Sequence, residues 1–279
     1  MTRIEAQYAA LLEHTAQLGL RDGRNLVAFS GGVDSALVAH AVHRTFPDSA
    51  VACLGISASL PAEQQRMAAD IAEYIGITLR RIATSEGGHP DYVANEGMSC
   101  YFCKTSLYET MRALGAAIDP AEGPFVLFNG TNADDALDPT RVGLQAAREF
   151  RVESPLAAFS KQEVRELARH AGLPNWQVAA SPCLRSRLQQ GVRATPENLR
   201  RIEEAERRLR ERFSVPATED FRVRHLAGDL AMIEACDGML AVLELSACES
   251  ELLPLGFARV EKRRFVSGGV SGYRPAATA

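Results

Sequence analysis

The sequence predicts an α/β protein, with a doubly wound parallel sheet over residues 1–187 and a smaller carboxyl-terminal α+β domain over residues 188–279. Three observations carry this. Short apolar runs alternate with patterns of helical period, as buried parallel strands and the helices covering them do. The first run ends in a glycine-rich turn that opens a helix, the usual place for a phosphate in an α/β sheet. Beyond Arg187 the alternation gives way to a charged helix and three strand-like runs.

The elements follow in order. An amphipathic helix occupies the first twenty residues, with Glu5, Glu13 and His14 among its apolar positions. Asn25 to Ser30 is the first strand, Gly31-Gly32 the turn, and Val33, Leu37, Val38, Ala41 and Val42 mark the next helix. Ala50 to Ser57 is a buried strand, and Leu60-Pro61 opens a helix running to about Gly76, with proline preorganised for its first turn. The run ITLRRIAT gives a third strand, a helix spans about Thr105 to Leu114, and Pro124 to Gly130 is a fourth strand ending in a polar cluster. Ser160 caps a helix with Glu163 three residues on, and Gly172-Leu173-Pro174 stops it. In the smaller domain Pro196 starts a helix whose stripe is Leu199, Ile202, Ala205, Leu209 and Phe213. Strands FRVRHL, LAMIEA and ARVEKRRFV follow, with one helix between the last two from about Met239 to Leu252. Arg274 to Ala279 reads as a loose tail.

Composition narrows the function classes. Hydrophobic residues make up 46% and charged residues 24%, which excludes disordered, collagen-like and rod-like chains. With 31 basic against 35 acidic residues the net charge is −4, from which no partner class follows; the charged helix after Pro196 sets six arginines, from Arg200 to Arg212, against four glutamates, a mixed-sign surface rather than the basic face of a nucleic-acid enzyme. The amino-terminal helix carries acidic residues where a leader would be basic and apolar, and no apolar stretch is long enough to span a bilayer. These features predict a cytoplasmic protein without membrane contact. Six cysteines are too few and too unevenly spaced for a disulfide scaffold, which leaves thiol chemistry or metal ligation.

Ser30-Gly31-Gly32-Val33-Asp34-Ser35 lies between strand and helix, where backbone N–H groups and the helix dipole hold phosphate. The glycines admit close approach, Ser30 and Ser35 add hydroxyls, and Asp34 is placed to hold Mg2+ or to orient the loop. No Gly-Lys-Ser/Thr follows, so the loop is not the Walker type. It resembles that of the PP-loop, or ATP pyrophosphatase, superfamily over roughly the first 185 residues. That resemblance implies ATP cleavage between the α and β phosphates, AMP transfer to a substrate and release of pyrophosphate. The rest of a nucleotide site belongs at the carboxyl ends of the strands. Gly55 to Ser57 are placed for adenine and Gly130, Thr131 and Asn132 for the AMP moiety. Asp134 or Asp135 is placed for a metal, or else for an ordinary helix cap.

Cys100 and Cys103 stand three apart in Ser99-Cys100-Tyr101-Phe102-Cys103-Lys104, and Cys183 lies far along the chain in Ser181-Pro182-Cys183-Leu184-Arg185-Ser186-Arg187. Spacing alone leaves zinc, a redox pair, an iron–sulfur cluster and accident open. A structural zinc wants four ligands and no second pair exists, so no zinc site is predicted. Three thiolates on a 4Fe–4S cluster would leave one iron open to an exchangeable ligand. Cys53, Cys236 and Cys248 lie in apolar runs and read as buried small hydrophobes.

Taken together, SGGVDS, CYFCKTSLYE, FNGTNADD, GLPNW, SPCLRSR, and RIEEAE followed by FRVRH resemble the LarE family of ATP-dependent sulfur transferases of nickel-pincer cofactor synthesis. The likeness runs to about His225. It implies adenylation of a carboxylate of a pyridinium biscarboxylate mononucleotide, followed by displacement of AMP by sulfur. Members with one cysteine, matching Cys183, sacrifice its sulfur. Those with three, matching Cys100, Cys103 and Cys183, hold a 4Fe–4S cluster that carries an extra sulfide, and this sequence has all three. Lys104 matches a family lysine near the phosphates, the bland reading being an ordinary solvated helix lysine. Arg185 and Arg187 flank Cys183 and can lower a thiol pKa or grip a substrate phosphate. Arg222 and Arg224 share one strand face and match a family pair tied to substrate binding, the bland reading being a solvated face or a subunit contact. The resemblance also implies a homo-oligomer, of hexameric type, packed through the smaller domain. The chain departs from the pattern at Glu261 to Gly269, where Val266 stands in place of an arginine. Other readings of the loop are a tRNA thiolation enzyme and an ammonia-dependent ligase with structural cysteines.

Overall fold

The computed structural model describes residues 1–117, 124–138, 141–178, 182–216 and 219–266. The chain divides into two compact units, one of residues 1–86 and 98–180 and the other of residues 87–97 and 181–279. Ser181, the motif from Ser267 onward and the tail Arg274 to Ala279 lie outside the described residues. Among the described residues no helix is long and apolar enough to cross a membrane.

The larger unit runs α1 (Arg3–Leu18), β1 (Arg24–Ala28), α2 (Val33–Thr45), β2 (Ala50–Ile56), α3 (Ala62–Ile75), β3 (Thr78–Ala83), α5 (Ser99–Ala117), β4 (Phe125–Phe128), α6 (Ala133–Leu137), α7 (Gly143–Glu149) and α8 (Lys161–His170), with α4 (Pro90–Ala94) belonging to the other unit. Its four strands are parallel in the order β3-β2-β1-β4. Side chains alternate across the sheet as strand geometry requires. Leu26, Ala28, Val51 and Cys53 meet Tyr108 and Met111 of α5 and Ala146 and Ala147 of α7 on one face. Val27, Phe29, Ala52 and Leu54 meet Leu37, Val38 and Ala41 of α2, Ala68 and Ile71 of α3 and Val164 and Leu167 of α8 on the other. Both faces are covered, the doubly wound arrangement that the near-continuous apolar runs predict. Each leucine or phenylalanine fully buried this way contributes about 1.5–3 kcal/mol. Burial pushes the Cys53 thiol up to about 12, so it is an inert core group.

The smaller unit holds α9 (Pro196–Arg212), β5 (Arg222–Leu226), β6 (Leu230–Ala235), α10 (Asp237–Val242), α11 (Leu245–Leu252) and β7 (Arg259–Arg264). Its sheet is mixed: β5 runs antiparallel and β7 parallel to the central β6. Val223, Ala231, Ile233 and Val260 pack on Ala205 and Leu209 of α9 and on Cys248 and Leu252 of α11. The opposite face carries Arg222, Arg224 and Glu234 beside Leu226, Leu230 and Met232, all of them buried.

Three expectations need correction. The predicted helix at Thr105 begins at Ser99, which takes Cys100 and Cys103 into its first turns. The single helix expected from Met239 to Leu252 is two, because Leu243 leaves the helical region (φ −77°, ψ 99°) to bury its side chain in the core. Lys262 Nζ then donates to the exposed carbonyls of Leu240 and Leu243, 2.8 Å from each. Cys236 is exposed rather than buried: it caps α10, its Sγ accepting from Met239 N at 3.5 Å.

Candidate active site

The turn after β1 is held by its own serines. Ser35 Oγ donates to Gly32 O at 3.0 Å and accepts from Ser30 N at 3.2 Å, while the two hydroxyl oxygens stand 3.1 Å apart. Gly31 has φ +74°, and a Cβ there would come within 2.7 Å of the Ala68 backbone, so no side chain is tolerated. The last residue before the helix is Gly32, at the amino terminus of α2, where the first N–H groups lack helical partners.

The chain passes from β1 outward to β2 and β3 and returns to β4 on the other side of β1, so the strand order reverses between β1 and β4. Such a reversal opens a crevice at the carboxyl ends of the strands, the favoured ligand position in α/β sheets. Gly130 sits there; a Cβ on it would lie 2.8 Å from Ser35 N, so the end of β4 packs directly on the start of α2. Thr131 N donates to Asn129 Oδ1 at 3.0 Å, fixing the turn. Ser57, at the carboxyl end of β2, forms a small hydroxyl turn with Ser59 N at 3.3 Å.

Asp34, in the first turn of α2, accepts from Asn132 Nδ2 at 3.3 Å and pairs with Lys161 Nζ. Lys161 is the first residue of α8, and its backbone N–H donates to Asp134 Oδ2 at 2.9 Å. Asp135 closes a capping box with Asn132 and pairs with Arg141 at 2.8 Å. Asp34, Asp134 and Asp135 therefore stand in one network at the crevice, joined by Asn132 and by Lys161, a lysine that sequence reasoning did not assign. Lys161 reads in sequence as an unremarkable residue after a helix cap; only the return of α8 to the glycine turn gives it a role.

On α5, Cys100 is exposed and Cys103 half-buried, three apart and so on one face of the helix. Lys104 follows, its Cγ and the Cys100 carbonyl lining the space beside Gly143, where a Cβ would lie 3.2 Å and 3.3 Å from them. The close approach of α7 thus fixes the cysteine-bearing turn.

In the smaller unit Cys183 is half-buried at the start of a 3₁₀ turn, Leu184–Arg187. Its carbonyl accepts from Ser186 N at 3.0 Å, Ser186 Oγ at 2.7 Å and Arg187 Nη1 at 3.1 Å. Arg187 also donates to Pro182 O, and its Nε reaches Glu206 Oε1 at 3.1 Å. It is buried and braces the backbone around the thiol. Arg185 Nη1 donates to Asn95 Oδ1 at 3.0 Å. Arg224 pairs with Glu234 at 2.5 Å and donates to Ser186 O at 2.9 Å; Arg263 takes the other oxygen of Glu234. Arg222 lies over the Phe265 ring at 5.8 Å, and burial together with the neighbouring Arg187 charge pulls its pKa down. Four arginines, Arg187, Arg222, Arg224 and Arg263, thus share three carboxylates, Glu206, Glu234 and the half-exposed Asp220, which lies 3.6 Å from Arg222. Removing Glu234 leaves two guanidiniums uncompensated: Glu234→Ala should lower the unfolding free energy in urea by about 3–5 kcal/mol. A loss below about 1 kcal/mol would mean that water already screens the pair.

Among the described residues no three His, Cys, Asp or Glu side chains are grouped to hold a metal ion.

No family model matches the chain. It is 41% identical over 201 residues to an uncharacterized protein of Synechocystis sp., covering 71% of this chain and 73% of that one. It is 28% identical over 190 residues to the glutamine-hydrolyzing GMP synthase of Leifsonia xyli subsp. xyli, covering 60% and 37%. With the pyridinium-3,5-bisthiocarboxylic acid mononucleotide synthase of Lactiplantibacillus plantarum it shares 30% identity over 262 residues, 90% of this chain and 87% of that one. A glycine turn at the reversal of a doubly wound sheet and identity over nearly the whole length of both proteins lead to one assignment: the chain belongs to the LarE family of PP-loop proteins.

Proposed function

We propose that the protein is an ATP-dependent sulfur transferase that converts a carboxylate of a pyridinium dicarboxylate mononucleotide into a thiocarboxylate. What carries this reading is the phosphate-binding turn facing Gly130 to Asn132 across the β1–β4 crevice, in a chain that shares 30% identity with a bisthiocarboxylic acid mononucleotide synthase. In the first half reaction a substrate carboxylate oxygen attacks the α-phosphorus of ATP, the bond to the bridging oxygen breaks and pyrophosphate leaves. The N–H groups of the turn and α2, with Ser30 and Ser35, bind the phosphates. Ser57 and Thr131 line the nucleoside side, and Lys161 and Lys104 offset charge on the departing pyrophosphate. Asp34, Asp134 and Asp135 carry oxygen donors of the kind Mg2+ takes, engaged in this structure by Lys161, Asn132 and Arg141 and not assembled into one group.

In the second half reaction sulfur attacks the acyl carbon and the carbon–oxygen bond to AMP breaks. An acyl-adenylate needs a soft, deprotonated nucleophile, which a thiolate is and a hydroxyl is not. Cys183 is assigned as the sulfur-bearing residue, with Cys100 and Cys103 as its partners. The donor type suits a 4Fe–4S cluster, although no assembled three-ligand group stands among the described residues. Bound to the three thiolates, a cluster would supply a hydrosulfide and spare Cys183 its own sulfur. Arg185, Arg187, Arg222 and Arg224 provide the positive surroundings that the substrate phosphate requires, and the smaller unit is assigned to substrate binding and homo-oligomer contacts.

The test is exchange of labelled pyrophosphate into ATP. Exchange that depends on a pyridinium dicarboxylate mononucleotide supports reversible adenylation; exchange indifferent to any carboxylate overturns it.

A further inference from the structure

Two buried carboxamides grip consecutive carbonyls of the glycine turn. Gln64 of α3 donates from Nε2 to Ser30 O at 3.4 Å, and Asn175, in the turn after α8, donates from Nδ2 to Gly31 O at 2.7 Å. Only the NH2 end of an amide can donate to a carbonyl, so their orientation follows from the partners. Each side chain is at least nine-tenths buried, and each leaves its own oxygen, Gln64 Oε1 and Asn175 Oδ1, without a donor among the described residues. An aliphatic side chain would avoid that desolvation penalty. The amides therefore act on the turn at some expense to the core.

We infer that Gln64 and Asn175 are positioning residues that aim the turn at the phosphates of ATP. A peptide group is planar and trans, so its C=O and N–H point in opposite directions. The Ser30 carbonyl shares its peptide with the Gly31 N–H, and the Gly31 carbonyl with the Gly32 N–H. Drawing both carbonyls inward turns both N–H groups outward, toward the amino terminus of α2, where the dipole favours an anion. The Gly32 N–H lies 3.3 Å from Ser30 Oγ, a long contact on an exposed residue, so little is given up when it turns to a phosphate oxygen. The supporting elements are built for this. Gln64 and Ala68 stand four apart on one face of α3, the first giving a donor and the second the space that Gly31 fills. Asn175 is held by the stop of α8: Leu173 N donates to Ala168 O at 2.9 Å, Arg165 Nη1 to Trp176 O at 3.1 Å, and Arg169 stacks on Trp176 at 4.9 Å. The same helix begins with Lys161 on Asp34, so α8 touches the phosphate turn from both ends.

The inference rests on the adenylating reading of this turn, and binding measured without chemistry separates the two. ATP affinity is read by equilibrium dialysis for the full-length protein, for Gln64→Met, which deletes a donor at similar length, and for Asn175→Asp, which replaces the donor by an isosteric acceptor. Each variant should bind ATP about tenfold more weakly. Gln64→Met should melt no lower than the parent, because it also removes an orphaned oxygen. The affinity of Asn175→Asp relative to the parent should recover as pH falls, because a protonated carboxyl again donates to Gly31 O; a merely loosened fold would not recover. Equal affinity in folded Gln64→Met and parent overturns the inference, and Gln64→Met carries the test if Asn175→Asp fails to fold. A parent that binds no ATP removes the adenylating reading and the inference together.

Discussion

Replacing Cys183 with alanine is expected to abolish sulfur transfer while carboxylate-dependent pyrophosphate release continues. The argument begins with the backbone. The Cys183 turn is fixed through its carbonyl, which takes donors from Ser186 and Arg187, and none of those bonds uses the thiol. Alanine at this position keeps the turn and removes only Sγ. The glycine turn, Asp34 and Lys161 belong to the other compact unit. An acyl-adenylate should then accumulate or hydrolyse, giving AMP and pyrophosphate without thiocarboxylate. Cys183→Ser should behave the same way, because its oxygen can neither supply sulfur nor ligate as a soft thiolate does. The measurement is parallel quantitation of pyrophosphate and thiocarboxylate by chromatography. Loss of both activities would assign Cys183 to adenylation or folding instead.

Asp34→Ala is expected to remove the first half reaction, lowering carboxylate-dependent pyrophosphate release by about 10²–10³-fold, the usual scale for losing one electrostatic contributor. Asp34 joins the glycine turn to both other sides of the crevice, through Asn132 after β4 and Lys161 of α8. Asp34→Asn separates two ways in which it can act. The amide preserves an oxygen for Asn132 but lacks the charge that holds Lys161 or a divalent cation. If charge is what matters, the asparagine variant is as impaired as the alanine variant; if orientation is, most activity remains. Initial rates at saturating ATP and Mg2+ distinguish these outcomes, and an Asp34→Ala variant of full activity would contradict the assignment of the turn.

The doubly wound sheet was legible because β1, β2 and β4 are short, near-continuous apolar runs separated by helical patterns; Gly76 at positive φ (82°) after α3, and Ser160 with Glu163 before α8, are capping signals that stand in the sequence itself. The short helices α4, α6 and α7 were not, since five to seven residues carry too little periodicity to register. The break at Leu243 was hidden because an apolar residue fits a helical stripe as well as a bend into the core. At the site, the glycine turn announces itself by residue type and order. Lys161, Gln64 and Asn175 do not, because their partners lie more than a hundred residues away, or some thirty in the case of Gln64, and only packing brings them together. Arg222 and Arg224 do share a face, as alternation requires, but that face is buried and its charge is partly taken up by Glu234, which sequence reading did not pair with them.

Single-turnover analysis of the intact protein tests the central claim most directly. Protein purified anaerobically is mixed with ATP and a pyridinium dicarboxylate mononucleotide, and AMP and the product are quantified by mass spectrometry. The account predicts one AMP for each carboxylate oxygen replaced by sulfur. AMP formation with an unmodified carboxylate, or an amide in its place, would contradict it.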